Sequence, residues 1–203
     1  MLNDRFEEMW VYALLLDVTD MYAKCGKLND ARSILSETKN HNSLDDLLGI
    51  FTFTDELTSP VAPARIFKAS TVDSNNLIPK LLPHAVKSIE LLKGDGGAGS
   101  IKQINFAEGK LKHQIDDLNQ ENYVYNYTLI EGEGMMDMID KISYEVKFEA
   151  SCAGGTICKM STKVYAKSNF ELKENEINAG KKKVMGMYKI VEAYLLQNPD
   201  AYV

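Results

Sequence analysis

In "KISYEVKFEA", Ile142, Tyr144, Val146 and Phe148 alternate with Lys141, Ser143, Glu145, Lys147 and Glu149. Period two over this length predicts a β-strand with one covered face and one wet face. Similar runs occur at "IFTFTDELTS", "VKSIELLK", "SIKQINF", "KLKHQIDD", "NYVYNYTLIE" and "TICKMSTKVYAK", separated by glycine-rich or polar turns. That order suits an antiparallel meander. Between the first two runs, "SPVAPARIFKASTVDSNNLIPKLL" reads as two short helices. Pro63 is acceptable in the first turn of one, and the Asp73-Ser74-Asn75 stretch offers a cap for the other. The last segment changes period. Ile177, Val184, Met187, Val191, Tyr194 and Leu195 fall near helical spacing, over about seven turns. The elements predict an α+β fold in which a curved antiparallel sheet grips one long C-terminal helix.

Residues 1–48 differ in character. They hold five Lys or Arg against nine Asp or Glu and no proline. Apolar residues at Leu14, Leu15, Val18, Met21 and Tyr22 give a helical face. After the break at "KCGK", Asn29 or Asp30 can cap a second helix in "LNDARSIL". The prediction is a short helical hairpin followed by the polar linker "SETKNHNSLDD". The words "DMYAKCGKLNDARSIL" resemble one plant pentatricopeptide repeat, over about residues 11–45. Such repeats read single-stranded RNA as stacked arrays. A lone copy cannot bury its own apolar face, so RNA recognition is not expected here.

The charge balance narrows the partners. A formal net charge of −6 gives no general attraction to nucleic acid or an anionic membrane. The longest apolar stretches, such as "VYALLL", are far too short to span a bilayer. Asp4, Glu7 and Glu8 stand where a secretory signal needs basic residues, which favours an intracellular setting. Three cysteines do not suggest a disulfide framework. With a turn centred on Gly154-Gly155, Cys152 faces Ile157 and Cys158 faces Ser151, so the two thiols are not opposite; reduced, buried thiols are expected. His41, His84 and His113 lack metal or triad spacing, and no metal or cofactor is expected.

"GDGGAG", through Gly94, Gly96 and Gly99, fits the spacing GxGxxG. A dinucleotide site needs a helix after it, and "SIKQINF" alternates as a strand instead. The run, Gly97 included, is therefore expected to form a rigid turn, with a shallow anion nest as the alternative.

"GIFTFTDELTSPVAPARIFKA", "IPKLLPHAVKSIE", "GDGGAGSIKQINF", "YNYTLIEG" and "VEAYLLQNPDAY", in this order, resemble the intracellular class-ten pathogenesis-related proteins of plants, the birch-pollen-allergen family. The resemblance covers residues 49–203. It implies a helix-grip (START-like) fold, in which a seven-stranded antiparallel sheet wraps the long helix and two short helices support its end. It also implies a large internal cavity for apolar small molecules, and a monomer in the cytoplasm or also the nucleus.

Candidate ligand contacts follow. Alternation puts Tyr123, Tyr125, Tyr127 and Leu129 on one face, and the family's ligand-facing tyrosines match Tyr125 and Tyr127. The helix contributes Val184, Met187, Tyr188 and Val191, and the neighbouring strand Ile104 and Phe106. Taken singly, each reads as plain core, and the ligand-contact reading rests on their combination. Met135, Met136, Met185 and Met187 add adaptable surface. Lys102 shares the face of Ile104 and Phe106. It either reaches the cavity, where it needs a counter-charge or water, or snorkels at the rim. The family's assigned ribonuclease group corresponds here to Lys102, Asp140, Glu192 and Tyr194. Asp140 replaces the usual Glu, and a surface Glu192 with a half-buried Tyr194 is the plainer expectation. The leading function is binding of a hydrophobic ligand or plant hormone: a cytokinin, flavonoid, abscisic acid or sterol-like compound. Two alternatives stand beside it. One is inhibition of a protein phosphatase, as by abscisic acid receptors of this fold, although "FAEGKL" stands where their gate sequence would be. The other is weak ribonuclease or specialised-metabolism catalysis.

Overall fold

The structure is a computed structural model. It describes residues 50–107, 109–132, 139–152, 154–167 and 174–203, with the backbone alone described for 174–181 and 183. The helical hairpin expected within residues 1–48, together with Met135 and Met136, lies outside the described residues.

Seven strands form one antiparallel sheet: β1 (Ile50–Ser59), β2 (Val86–Lys93), β3 (Ile101–Phe106), β4 (Lys110–Asn119), β5 (Val124–Gly132), β6 (Ile139–Ala150) and β7 (Thr156–Ala166). Their order across the sheet is β1-β7-β6-β5-β4-β3-β2. The chain meanders from β2 to β7, while β1 pairs with β7 and so sits at the far edge from β2. Two short helices, α1 (Pro63–Phe67) and α2 (Ser74–Leu81), carry the chain from one edge to the other, joined by a π-helical turn over Lys68–Val72. The long helix α3 (Glu174–Gln197) completes the grip.

The strand alternation holds in the register. On β6, Ile142, Val146 and Phe148 are buried, while Lys141, Glu145 and Lys147 are exposed. The wet face carries ion pairs: Glu149 with Lys147 on its own strand and with Lys159 on β7, and Glu145 with Lys163 on β7. Exposed pairs of this kind add little stability. Tyr123 departs from the expected strand. It precedes β5 with φ of 52°, and its ring packs 5.7 Å from Phe67.

The β6–β7 hairpin also differs from the expected register. Ala150 pairs with Thr156 and Phe148 with Cys158, so the loop is longer than a two-residue turn. Gly154 and Gly155 both have positive φ, and a Cβ at Gly155 would stand 2.2 Å from the Ser59 carbonyl oxygen. Glycine at this position permits the loop's close approach to the end of β1. Cys152 is exposed on it rather than buried, and Cys158 is buried; both are free thiols.

The base of the interior is solid. Ile66, Phe67, Ile78, Phe148, Ile190 and Leu195 are all at most 2% exposed. Phe148 packs edge-on to Phe67 and Tyr188, with ring centroids 5.7 and 5.6 Å away. Arg65 fixes the end of α3. Its Nε donates to Ala201 O at 3.0 Å, and its Nη2 donates to Leu195 O and Asn198 O at 3.2 and 2.9 Å. A cation on the carbonyls at and just beyond a helix C-terminus is favourable both as a set of hydrogen bonds and against the helix dipole. Asp73 sits at the α2 N-cap position but makes no capping bond there. Its carboxylate instead accepts from Asn76 Nδ2 and the Tyr202 hydroxyl, tying the C-terminus to α2.

Candidate functional site: the polar, aromatic face beneath the long helix

The concave face of the sheet carries a row of polar-tipped side chains, and strand pairing sets their order. Lys102 on β3 stands opposite His113 on β4, and Tyr127 on β5 stands opposite Tyr144 on β6. Tyr127 and Tyr144 stack, with centroids 4.7 Å apart and planes 14° from parallel. Tyr125 lies 5.1 Å from Tyr127, and His113 lies 5.0 Å from Tyr127. His113 Nε2 and the Tyr125 hydroxyl are hydrogen-bonded at 3.0 Å. Burial pushes every phenol of the row up. Tyr144 reaches about 12, Tyr125 and Tyr127 rise as well, and so does Tyr188 from the helix. These hydroxyls stay protonated at neutral pH and remain donors.

Lys102 is 5% exposed, and Nζ donates to Ser74 Oγ at 3.3 Å. It faces inward to α2 rather than snorkelling to the rim. Desolvation by burial lowers its pKa. His113, 6% exposed, is held down at about 4 by burial and then by the charge of Lys102.

From α3, Tyr188 and Val191 are buried, while Val184 and Met187 are half-buried. Ile104 and Phe106 are half-buried against the main core. Leu129 belongs to a separate buried cluster with Ile139, Ile142 and Val164. Tyr127 and Tyr144 pack against both clusters and so stand at the seam between them. Their accessibility is notable. Desolvation raises both phenols, yet each side chain is only half-buried.

The four residues matched to ribonuclease activity are dispersed. Asp140 is exposed on β6. Glu192 is 4% exposed on α3, against the surface position expected, and pairs with Lys189 at 3.0 Å. Lys189 also donates to Thr58 O at 2.9 Å, so this pair ties α3 to β1. Tyr194 is half-buried, and Lys102 points to Ser74. His113 and Tyr144 were not singled out as site residues from sequence. Alternation puts them on the covered face, but their partners lie on neighbouring strands.

The glycine loop is spent on itself. Gly94, Gly96 and Gly99 have φ between 83° and 99°. The Gly96 amide donates to Ser100 Oγ, that of Gly97 to Asp95 Oδ1, and that of Gly99 to Ile115 O, at 3.0, 2.9 and 2.7 Å. Amides bonded in this way favour the rigid turn over an anion nest. No group of three or more metal-ligating side chains occurs among the described residues. No described helix is long and apolar enough to cross a membrane.

The model of the pathogenesis-related protein Bet v 1 family matches residues 49–198. The chain belongs to this family. The major strawberry allergen Fra a 1.07 of Fragaria ananassa is 50% identical over 159 residues, which cover 76% of this chain and 99% of the allergen. The major allergen Pru av 1 of Prunus avium is 48% identical over the same shares. Among solved structures, Ara h 8.0201 superposes with a TM-score of 0.69 at 38% identity, covering 74% of this chain and all of that one. Membership of the Bet v 1 family places the protein in a defence-related class and accounts for the α+β architecture described above.

Proposed function

We propose that this Bet v 1 family protein binds an apolar small molecule between the concave sheet face and α3, as a defence- or stress-related carrier or buffer inside plant cells. The observation that carries this reading is the position of Tyr127 and Tyr144, half-buried, at the seam between two apolar clusters. A guest there buries apolar surface at about 25 cal/mol per Å². The phenols give its polar ends hydrogen-bond partners. Half-buried Val184, Met185 and Met187 on α3 supply a surface that adapts to guests of different shape. Cytokinins, flavonoids, abscisic acid and sterol-like compounds are the ligand classes proposed, with the protein acting as a monomer in the cytoplasm or also the nucleus.

The test is titration with a naphthalene-sulfonate probe. Saturable fluorescence gain with low-micromolar affinity is expected, weakened about tenfold in Tyr127→Ala through lost stacking and hydrogen bonding. No gain at saturating probe, together with no effect of the substitution, would refute the reading.

A further inference from the structure

A buried cation and a buried imidazole face each other across one strand pair, and neither has its hydrogen-bonding capacity filled. Lys102 and His113 are directly opposed on β3 and β4, both more than nine-tenths buried. Among the described residues, Lys102 has the neutral Ser74 hydroxyl as hydrogen-bond partner and takes part in no ion pair. His113 Nε2 is taken by Tyr125, and His113 Nδ1 is buried without a partner. Two more such atoms, Thr71 Oγ1 and Asn75 Oδ1, belong to the segment that carries Ser74. Unfilled polar capacity is thus concentrated around one end of the aromatic row.

A buried ammonium without counter-charge is costly, and so is a buried ring nitrogen without a partner. One guest group satisfies both: an anion with two acceptor oxygens. We propose that the preferred ligands are small planar carboxylic acids, whose carboxylate is held between Lys102 Nζ and His113 Nδ1. The assignment rests on the ligand-binding reading above and adds the chemical class of the guest. With an acid bound, the Tyr125 hydroxyl donates to His113 Nε2, which leaves the proton on Nδ1. Nδ1–H and the Lys102 ammonium then donate to the carboxylate. The imidazole remains neutral throughout, so no proton changes hands. The stacked rings of Tyr127 and Tyr144 stand beside His113 and receive the planar body of the acid. His113 and Lys102 are therefore specificity-determining residues, distinct from the apolar contacts that give affinity to any oily guest.

The experiment compares naphthoic acid with naphthamide, matched in shape and different in charge, by isothermal titration of the full chain at pH 7. Wild type is expected to bind the acid at least about tenfold more tightly than the amide. In Lys102→Met the acid should fall to the affinity of the amide, and in His113→Phe the preference should shrink several-fold. Lys102→Met removes an unpaired buried charge, so its fold is expected to hold; a melting scan checks this, and Lys102→Gln provides a second neutral variant. Equal binding of acid and amide by wild type would overturn the anchor and leave the hollow standing. A preference that survives in both Lys102 variants would overturn the assignment to Lys102. Binding of neither compound would overturn the hollow itself and the anchor with it.

Discussion

The interior beneath the C-terminal end of α3 and the aromatic row on the covered face of the sheet are built from different chemistry. At the end, Ile66, Phe67, Phe148, Ile190 and Leu195 close on one another, and the polar groups nearby are bonded. Arg65 takes three carbonyls, Lys189 takes Glu192 and Thr58 O, and Thr156 donates to Val61 O. Along the aromatic row, phenols replace aliphatic side chains, and among the described residues Lys102 takes part in no ion pair and His113 Nδ1 has no partner. Packing of the first kind supplies the stability that the second consumes.

The largest expected effect belongs to the solid end. Phe148→Ala should cost about 3–5 kcal/mol and lower the melting temperature by roughly 10 °C. A loss below about 1 kcal/mol in denaturant unfolding would mean that this end is not the densely packed one.

The next effect belongs to the polar half and depends on pH. The folded-state pKa of His113 is depressed to about 4 from 6.5, so between these values the unfolded chain binds the extra proton. Stability is therefore held above about pH 6.5 and lost as pH falls towards 4, by about 3 kcal/mol. Carboxylates titrate in the same range, so the measurement is a difference. Wild type should lose more stability than His113→Gln between pH 6.5 and 4, and parallel curves would remove His113 from the buried row.

Arg65→Met comes third. Loss of three bonds from a cation to carbonyls at and just beyond the helix end should cost about 2 kcal/mol, and hydrogen exchange should loosen first at residues 190–198. The smallest stability change is expected for Tyr127→Phe, under about 1 kcal/mol, with a several-fold loss of probe affinity. A large stability loss without an affinity change would make Tyr127 ordinary core.

Much of this contrast can be traced in the sequence. Alternation correctly placed Ile142, Val146 and Phe148 inward, and put Lys102 on the same face as Ile104. The blocks resembling the pathogenesis-related family anticipated the grip. Pairings between strands could not be read in the same way. His113 meets Tyr125 only because of the β4–β5 register, which includes an irregularity between Ile115 and Asp117. Glu192 was expected at the surface, because its burial depends on Lys189 one helical turn earlier and on a carbonyl of β1. The β6–β7 turn was misplaced for a related reason. Two adjacent glycines signal a turn, but the close approach of Gly155 to Ser59 exists only in the folded chain.

Methyl NMR of the full chain during titration with the naphthalene-sulfonate probe compares the two halves in one experiment. Methyls of Ile104, Val184 and Met187 are expected to shift with saturation, while those of Ile66, Ile190 and Leu195 stay in place. Shifts of equal size in both groups, or none in the first, would show that the interior is not divided into a solid end and a receptive one.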